Sequence, residues 1–137
     1  MNEFKLVVFA AEKPFFEGDC ISLVFPSVDG QYGIQANHSN MIAAIVPGEL
    51  RITTPTGLQA IAAVSEGLIK VENGQVLLLV DTAERPEEID ENQAKRSMEQ
   101  AKEAILQKMS IQDYRAAQAK MARALSRLRV KSHEIDP

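Results

Sequence analysis

The sequence is poor in cysteine, histidine and aromatic residues. Of its 137 residues one is Cys, two are His and none is Trp, and Phe, Trp and Tyr together make up 5%. Cys20 alone cannot form an internal disulfide, and we expect a buried structural thiol in a reducing compartment. His38 lies in a loop rich in Gly and Asn, and His133 lies in a tail that we expect to fray. No group of His and Cys has the spacing of a metal site, so no metal is predicted.

The motifs that would indicate an enzyme are also missing. The chain has no Gly-x-Ser-x-Gly motif and no Gly-rich loop followed by Lys and Ser or Thr. Gly30-x-x-Gly33 precedes a predicted strand instead of a helix and has no Lys after it, so it is interpreted as a pair of turn glycines. His38 has no Ser, Cys or pair of acids nearby, which favours an exposed contact or hydrogen-bonding role. The sequence therefore predicts no catalytic residue.

Long apolar runs are absent. The longest, Leu6–Ala11 and Met41–Val46, are far shorter than the roughly 20 residues that cross a bilayer. The N-terminal MNEFKLVVFAAEK carries Glu3 and Glu12 and has neither a basic start nor a cleavage site of a signal peptide, so it is predicted to be a first strand. The composition is typical of a soluble globular protein. A net charge of -4 argues against nonspecific nucleic-acid binding.

Glycine, proline and charge are distributed unevenly, and this divides the chain in two. All seven Gly precede residue 75, and between residues 87 and 136 there is neither Gly nor Pro. Residues 1–86 carry a net charge of -5, and residues 87–137 a net charge of +1. We predict an α+β fold, with a β-sandwich over residues 1–85 and an α-helical hairpin over residues 86–137.

The first part alternates short apolar runs with turn signals, the pattern of an antiparallel sandwich. Asn73-Gly74 and Pro55-Thr56-Gly57 are typical of hairpin turns, because Asn and Gly accept positive φ. The predicted strands are Phe4–Ala10, Cys20–Pro26, Gly33–Gln35, Met41–Ile45, Glu49–Thr54, Leu58–Val64, Gly67–Glu72 and Gln75–Asp81.

The second part has apolar residues at helical spacing in two stretches. The first stripe consists of Ala94, Met98, Ala101, Ile105 and Met109, and the second of Tyr114, Ala117, Met121, Ala124 or Leu125, and Leu128. A connection of a few residues, with Ser110 or Asp113 as N-cap, implies an antiparallel pair. Alanines bury little area, so we expect a weakly held and mobile hairpin.

Charged residues mark both helices. At the start of the first helix, Pro86 is of a type tolerated in a first turn. Four acidic residues there are stabilised by the positive end of the helix dipole: Glu87, Glu88, Asp90 and Glu91. The second helix is basic, and Arg123 and Arg127 lie one turn apart on one face. Two interpretations remain open: a solvated face, or a site for an anion or an acidic partner.

The order and spacing of several segments give a resemblance that extends over the whole chain. These segments are Gly30-Gln-Tyr-Gly33-Ile with His38 and Pro47-Gly48, Ser65-Glu66-Gly67, Asp81-Thr-Ala-Glu-Arg85, and Arg123-Ala-Leu-Ser-Arg127-Leu. Together they are similar to the epsilon subunit of bacterial F-type ATP synthases. The resemblance implies a non-catalytic central-stalk subunit on the cytoplasmic face of the cell membrane, attached only through the complex.

That resemblance also implies partners. The sandwich would bind the gamma subunit and the c-ring through Gly30, Gln31, Tyr32, Gly33 and His38. The hairpin would either fold against the sandwich or extend into the catalytic head and inhibit ATP hydrolysis. Contacts with the catalytic beta and alpha subunits would then involve Arg115, Lys120, Arg123, Arg127 and Arg129.

Some members of the family bind ATP, alone or with Mg, as a regulatory ligand on the folded hairpin. The family pattern Ile-Asp-x-x-Arg-Ala matches here at Ile89, Asp90 and Ala94, while Gln93 replaces the Arg; the other matching positions are Glu84, Arg123 and Arg127. Losing one charge-assisted hydrogen bond of about 1.5–3 kcal/mol implies weakened, roughly millimolar binding. No other cofactor is expected. The alternative function is a free-standing module that binds an anion or a protein.

Overall fold

Two five-stranded β-sheets packed face to face are followed by two antiparallel helices. The computed structural model describes residues 2–11, 13–107 and 110–133. The strands are β1 Phe4–Ala10, β2 Lys13–Cys20, β3 Ser22–Ser27, β4 Gly30–Ile34, β5 Met41–Ile45, β6 Gly48–Thr53, β7 Gln59–Val64, β8 Gly67–Glu72, β9 Gln75–Val80 and β10 Ala83–Glu84. The helices are α1 Glu91–Leu106 and α2 Ile111–His133, preceded by a 3₁₀ turn at Pro86–Glu88.

The first sheet has the strand order β2-β1-β9-β8-β5, and the second has the order β10-β7-β6-β3-β4. The predicted α+β sandwich with a helical hairpin is confirmed. Within it, β1 and β9 run parallel, with Lys5 opposite Gln75 and Ala10 opposite Val80, while the other pairs are antiparallel. The turn between β8 and β9 is the predicted Asn73-Gly74, where both residues have positive φ, +52° and +78°.

The core lies between the two sheets. Buried residues alternate with more exposed ones along β1, β8 and β9; in β8, Ile69 and Val71 are buried and Leu68 and Lys70 are exposed. The largest fully buried side chains are Phe25, Leu6, Leu23, Ile34, Leu50, Ile52, Ile69 and Leu78. This alternation leaves the outer face of each sheet available to other elements or partners.

Three edge strands differ from the prediction, and one of them is the two-residue β10, Ala83–Glu84, which was not predicted. The strand β2, Lys13–Cys20, was not predicted because Pro14 and Gly18 interrupt it and most of its side chains are exposed. Pro is tolerated there because an edge strand has one side without ladder hydrogen bonds. The strand β4 begins at Gly30, so residues 30–33 form a strand and not the predicted glycine loop.

The start of the helical part also differs from the prediction. Glu87 and Glu88 lie in the 3₁₀ turn, not in the first turn of a helix. The helix α1 begins at Glu91, and the side chain of its N-cap Asp90 accepts a hydrogen bond from the Gln93 amide at 3.0 Å. At α2, Ser110 caps the helix, because its Oγ accepts from the Asp113 amide at 3.1 Å.

The seam between the helices consists of small residues, as predicted. The buried alanines are Ala94 and Ala101 of α1 and Ala117 and Ala124 of α2. Leu125 is 42% exposed, so Ala124 occupies the seam position that the sequence left open. Met109 lies outside the described residues. Near its C-terminal end α2 packs on the second sheet, where Val130 joins Ala63 and Ile89 in a small apolar cluster.

Candidate functional sites

A cleft of about 670 Å³ lies between the hairpin and one edge of the sandwich. Its lining comprises Ala10, Ala63, Val64, Ser65, Asp81, Thr82, Ala83, Glu84, Gln93, Ser97, Lys120, Arg123, Ala124 and Arg127. Four of the seven residues predicted for a nucleotide site line it: Glu84, Gln93, Arg123 and Arg127. The guanidinium groups of Arg123 and Arg127 therefore line a cavity of ligand size.

Arg127 is the centre of the polar contacts in this cleft. Its Nε donates to Glu84 Oε1 at 2.7 Å and its Nη2 donates to Glu84 Oε2 at 3.2 Å, a bidentate pair. Its Nη1 donates to Gln93 Oε1. Both charged side chains are largely buried, at 21% and 28% exposure. Arg127 thus connects three elements, β10, α1 and α2.

Arg123 has a partner that the sequence did not predict. Its Nη1 donates to Glu66 Oε1 at 2.6 Å, across the gap between α2 and the β7–β8 turn. Glu66 belongs to the Ser65-Glu66-Gly67 segment, but nothing local in the sequence assigns it an ionic role. The structure therefore pairs each arginine of the i, i+4 pair with a carboxylate of the sandwich.

The other three predicted nucleotide residues do not line the cleft. Ile89 is buried beside Val130, Ala94 is buried in the helix seam, and Asp90 caps α1 through the Gln93 amide. They act on the cleft indirectly, because they fix the start of α1 and hence the position of Gln93.

The basic residues of α2 fall into two groups. Lys120, Arg123 and Arg127 contact other elements, since Lys120 Nζ donates to Gln100 Oε1 of α1 at 2.8 Å. Arg115 and Arg129 are exposed on the helix surface. The residues predicted to contact the catalytic head are therefore not all accessible in the folded hairpin.

At the other end of the sandwich, the β3–β4 hairpin and the following loop carry the predicted contact surface. Gly30, Gln31, Tyr32 and Gly33 are exposed. His38 Nδ1 donates to the Ser39 carbonyl at 2.7 Å, so its Nε2 accepts from the Tyr32 hydroxyl at 3.1 Å in the neutral ring. Tyr32 and His38 are in mutual contact, with their ring centroids 5.9 Å apart.

A second exposed surface was not predicted. On the outer face of the first sheet, Ile42, Leu68 and Leu79 are 71%, 53% and 44% exposed. Leu68 and Leu79 are cross-strand partners, and Ala44 and Phe9 extend their row onto β5 and β1. The signal in the sequence is the run of apolar residues in β9, QVLLLV, which is apolar on both faces. Contiguous exposed apolar surface indicates an interaction site.

Other kinds of site are not indicated. No group of three His, Cys, Asp or Glu could hold a metal ion within residues 2–11, 13–107 and 110–133. Burial, and secondarily the charge of Asp19, raise the pKa of the Cys20 thiol to about 11, so it is not poised as a nucleophile. In the described part of the chain, neither helix is long and apolar enough to span a membrane.

Comparison with known proteins gives the family. Residues 3–86 match the family model of the ATP synthase delta/epsilon chain β-sandwich domain, and residues 87–132 match that of its long α-helix domain. The ATP synthase epsilon chain of Ruminiclostridium cellulolyticum is 38% identical over 93% of this chain and 95% of its own length. That of Caldicellulosiruptor bescii is 37% identical over 95% and 94%.

Solved structures agree on the fold. A chain in the cryo-EM structure of the Euglena gracilis mitochondrial ATP synthase, OSCP/F1/c-ring, superposes with a TM-score of 0.80 at 18% identity, covering 98% of this chain and 82% of that one. A chain in the central stalk/c-ring structure from Tetrahymena thermophila gives 0.65 at 12% identity, covering 93% and 95%. With both of its parts matched in order, the chain belongs to the ATP synthase delta/epsilon family and is an epsilon-type, non-catalytic subunit.

Proposed function

We propose that the chain works as a central-stalk subunit on the cytoplasmic face of the bacterial membrane, and that its hairpin regulates ATP hydrolysis by the complex. The observation that carries this proposal is the mode of attachment of α2. Arg123 and Arg127 are held by Glu66 and Glu84 of the sandwich, and the helices meet through alanines. Such contacts can be exchanged for others, whereas a large apolar interface could not easily be opened.

The energies fit a two-state element. The half-exposed Arg123–Glu66 pair contributes about 0–1 kcal/mol, and alanine seams bury little apolar area. The folded and extended arrangements can therefore differ by only a few kcal/mol, which is what a switch between two states requires. In the extended arrangement, Arg115, Lys120, Arg123, Arg127 and Arg129 would all be free to contact acidic surfaces of the beta and alpha subunits.

The sandwich offers two surfaces for the remaining partners. We assign the patch of Tyr32 and His38 at the β3–β4 end to the c-ring and gamma subunit. The apolar row of Leu68 and Leu79 suits the gamma subunit as well, because interface cores are depleted of charge. Two surfaces on one rigid sandwich would allow it to bridge two parts of a rotor.

ATP is proposed as a weak regulatory ligand of the cleft. Arg123 and Arg127 could bind phosphate oxygens with their planar forks. Both are already paired with carboxylates, and Gln93 supplies no charge, so we expect roughly millimolar affinity. Titrating the isolated chain with ATP and following the amide resonances of the hairpin tests this; no shift at several millimolar would exclude the ligand.

Removal of residues 87–137 tests the regulatory role. We expect the truncated chain to assemble with the complex and to raise ATP hydrolysis relative to the full chain. Unchanged hydrolysis by the assembled complex would refute inhibition. Failure of the full chain to co-purify with an ATP synthase would instead favour the free-standing binding module.

A further inference from the structure

The last turn of α2 is attached to the sandwich by a contact outside the cleft. His133, which the sequence placed in a fraying tail, is the final residue of α2, and its Nδ1 is hydrogen-bonded to Glu49 Oε1. Glu49 lies in β6 and its side chain is 6% exposed. Its other oxygen, Oε2, accepts from Arg51 Nη2 at 2.7 Å. The expectation of a frayed end at His133 is therefore wrong.

A carboxylate this deeply buried needs partners. Burial of an ionised carboxyl group is unfavourable unless charge-assisted hydrogen bonds compensate. Arg51 supplies one and belongs to the same strand, so it remains when the hairpin leaves. His133 supplies the second, and it is present only when α2 is docked.

Within the part of the chain that the structure describes, the charged groups around this contact can be named element by element. The elements packed against α2 carry these ionisable side chains: Glu49 and Arg51 of β6, Glu87 and Glu88 of the 3₁₀ turn, and Glu91, Lys95, Arg96, Glu99, Lys102 and Glu103 of α1. On α2 itself, Arg129 and Lys131 lie within about one turn of His133. The strand β7, Gln59–Val64, has no ionisable side chain.

Several of these groups have other contacts. Glu88 pairs with Arg85, Glu91 pairs with Lys95, and Lys131 Nζ donates to the Pro86 carbonyl. Carboxylates, ammonium groups and guanidinium groups keep their charge between pH 5 and 8, whereas an imidazole ordinarily changes its charge there.

We propose that His133 and Glu49 form a pH-responsive latch for the folded hairpin. An imidazolium at His133 gives Glu49 a charge-assisted hydrogen bond, and a neutral imidazole gives a weaker one. Acidification therefore stabilises the docked hairpin, and alkalinisation favours its release. This inference rests on the proposed ability of the hairpin to open, but not on ATP binding.

The test uses the isolated full chain and NMR. The amide resonances of Ala63 and Val130, which lie in the interface between α2 and the sandwich, report the docked-to-released ratio at pH 5.5 and 8.5. We expect this ratio to be about fivefold lower at pH 8.5 than at pH 5.5, because a charge-assisted hydrogen bond stabilises the docked hairpin more than a neutral one does. The imidazole resonances of His133 should change over the same pH range.

Substitutions of His133 and of Glu49 separate the latch from other effects of pH. His133→Gln should abolish the pH step, and His133→Arg, which keeps a positive charge at both pH values, should dock equally well at both. Glu49→Gln should also remove the step, with Glu72→Gln, an exposed carboxylate paired with Lys70, as its control. A pH step that persists in His133→Gln, or a wild-type ratio constant within twofold, would overturn the latch.

The pH test of the latch and the truncation test of the regulatory role can fail independently of each other. If truncation of residues 87–137 leaves hydrolysis unchanged while the pH step is present, inhibition fails and the latch stands. If hydrolysis rises on truncation and the pH step is absent, the latch fails and the regulatory role stands.

Discussion

The Arg127 guanidinium lies against the Glu84 carboxylate in a bidentate pair, with donor–acceptor distances of 2.7 and 3.2 Å. Glu84 is the second residue of β10, the last strand of the sandwich, and Arg127 lies 43 residues later in α2. The pair joins the sandwich to α2, and the hydrogen bond from Arg127 to Gln93 adds α1 to the contact. Its side chains are less exposed than those of the Arg123–Glu66 pair.

Replacement of Arg127 should release the hairpin. We expect Arg127→Ala to destabilise the docked state by about 1–3 kcal/mol, because Glu84 is left largely buried without its donor. Amide hydrogen exchange of α2 measures the effect. Arg129→Ala removes an equally charged but exposed residue two positions away and should change the docking by less than about 0.5 kcal/mol. Equal effects of the two variants would show that net charge, not the pair, matters.

Position 93 should set the nucleotide affinity. Gln93→Arg adds a guanidinium to the cleft, so we expect ATP to bind about tenfold to a hundredfold more tightly. The same change removes an acceptor from Arg127 and weakens the ligand-free hairpin. Gln100→Arg is the control, since Gln100 also accepts from a cation of α2, Lys120, but does not line the cleft. Calorimetry of the two variants measures the difference; tighter binding by both would assign the gain to general charge.

Gly67 is required by close packing of the sheet. A Cβ at this position would lie 1.9 Å from the Leu79 carbonyl oxygen, whereas one at Gly33 would meet nothing within 4 Å. Gly67→Ala should therefore cost about 1–3 kcal/mol or more of unfolding free energy, and Gly33→Ala about 0.5 kcal/mol or less. Urea denaturation followed by circular dichroism compares them, and similar midpoints would contradict the close approach.

Cys20 should be unreactive in the folded chain. With its pKa raised from 9.0 to about 11, the thiolate fraction at pH 8 is about a hundredfold lower than in the unfolded chain. A group whose pKa rises on folding contributes stability that is complete below pH 9 and is lost as the pH rises through 11. Thiol titration with and without denaturant measures the first effect. Rapid native labelling would contradict the burial.

Much of the fold follows from the sequence because its signals are local. The Asn73-Gly74 turn, the strand alternation and the alanine stripes each depend on neighbouring residues. The strand β2 lacks such a signal, since an edge strand with Pro14 and Gly18 buries few side chains. The parallel pairing of β1 with β9 is also not local, because it depends on which strands meet in space.

The candidate sites also combine residues that local sequence signals predict with contacts that depend on tertiary packing. Arg123 and Arg127 could be placed on one face from their spacing alone, and Glu84 and Gln93 followed from the family pattern. The sandwich partners of Arg123 and His133 could not be predicted, since Glu66 and Glu49 acquire their roles only when α2 docks. Pairings between distant segments depend on tertiary packing and leave no periodic trace in the sequence.

The parallel pairing of β1 and β9 has a consequence for biosynthesis. The first strand must wait for a partner about seventy residues downstream, so the first sheet cannot be completed until almost all of the sandwich has left the ribosome. Until β9 has emerged, β1 can form ladder hydrogen bonds only with β2, and its other side waits for β9. The hairpin emerges only afterwards, and α2 therefore meets a sandwich whose docking face is already formed.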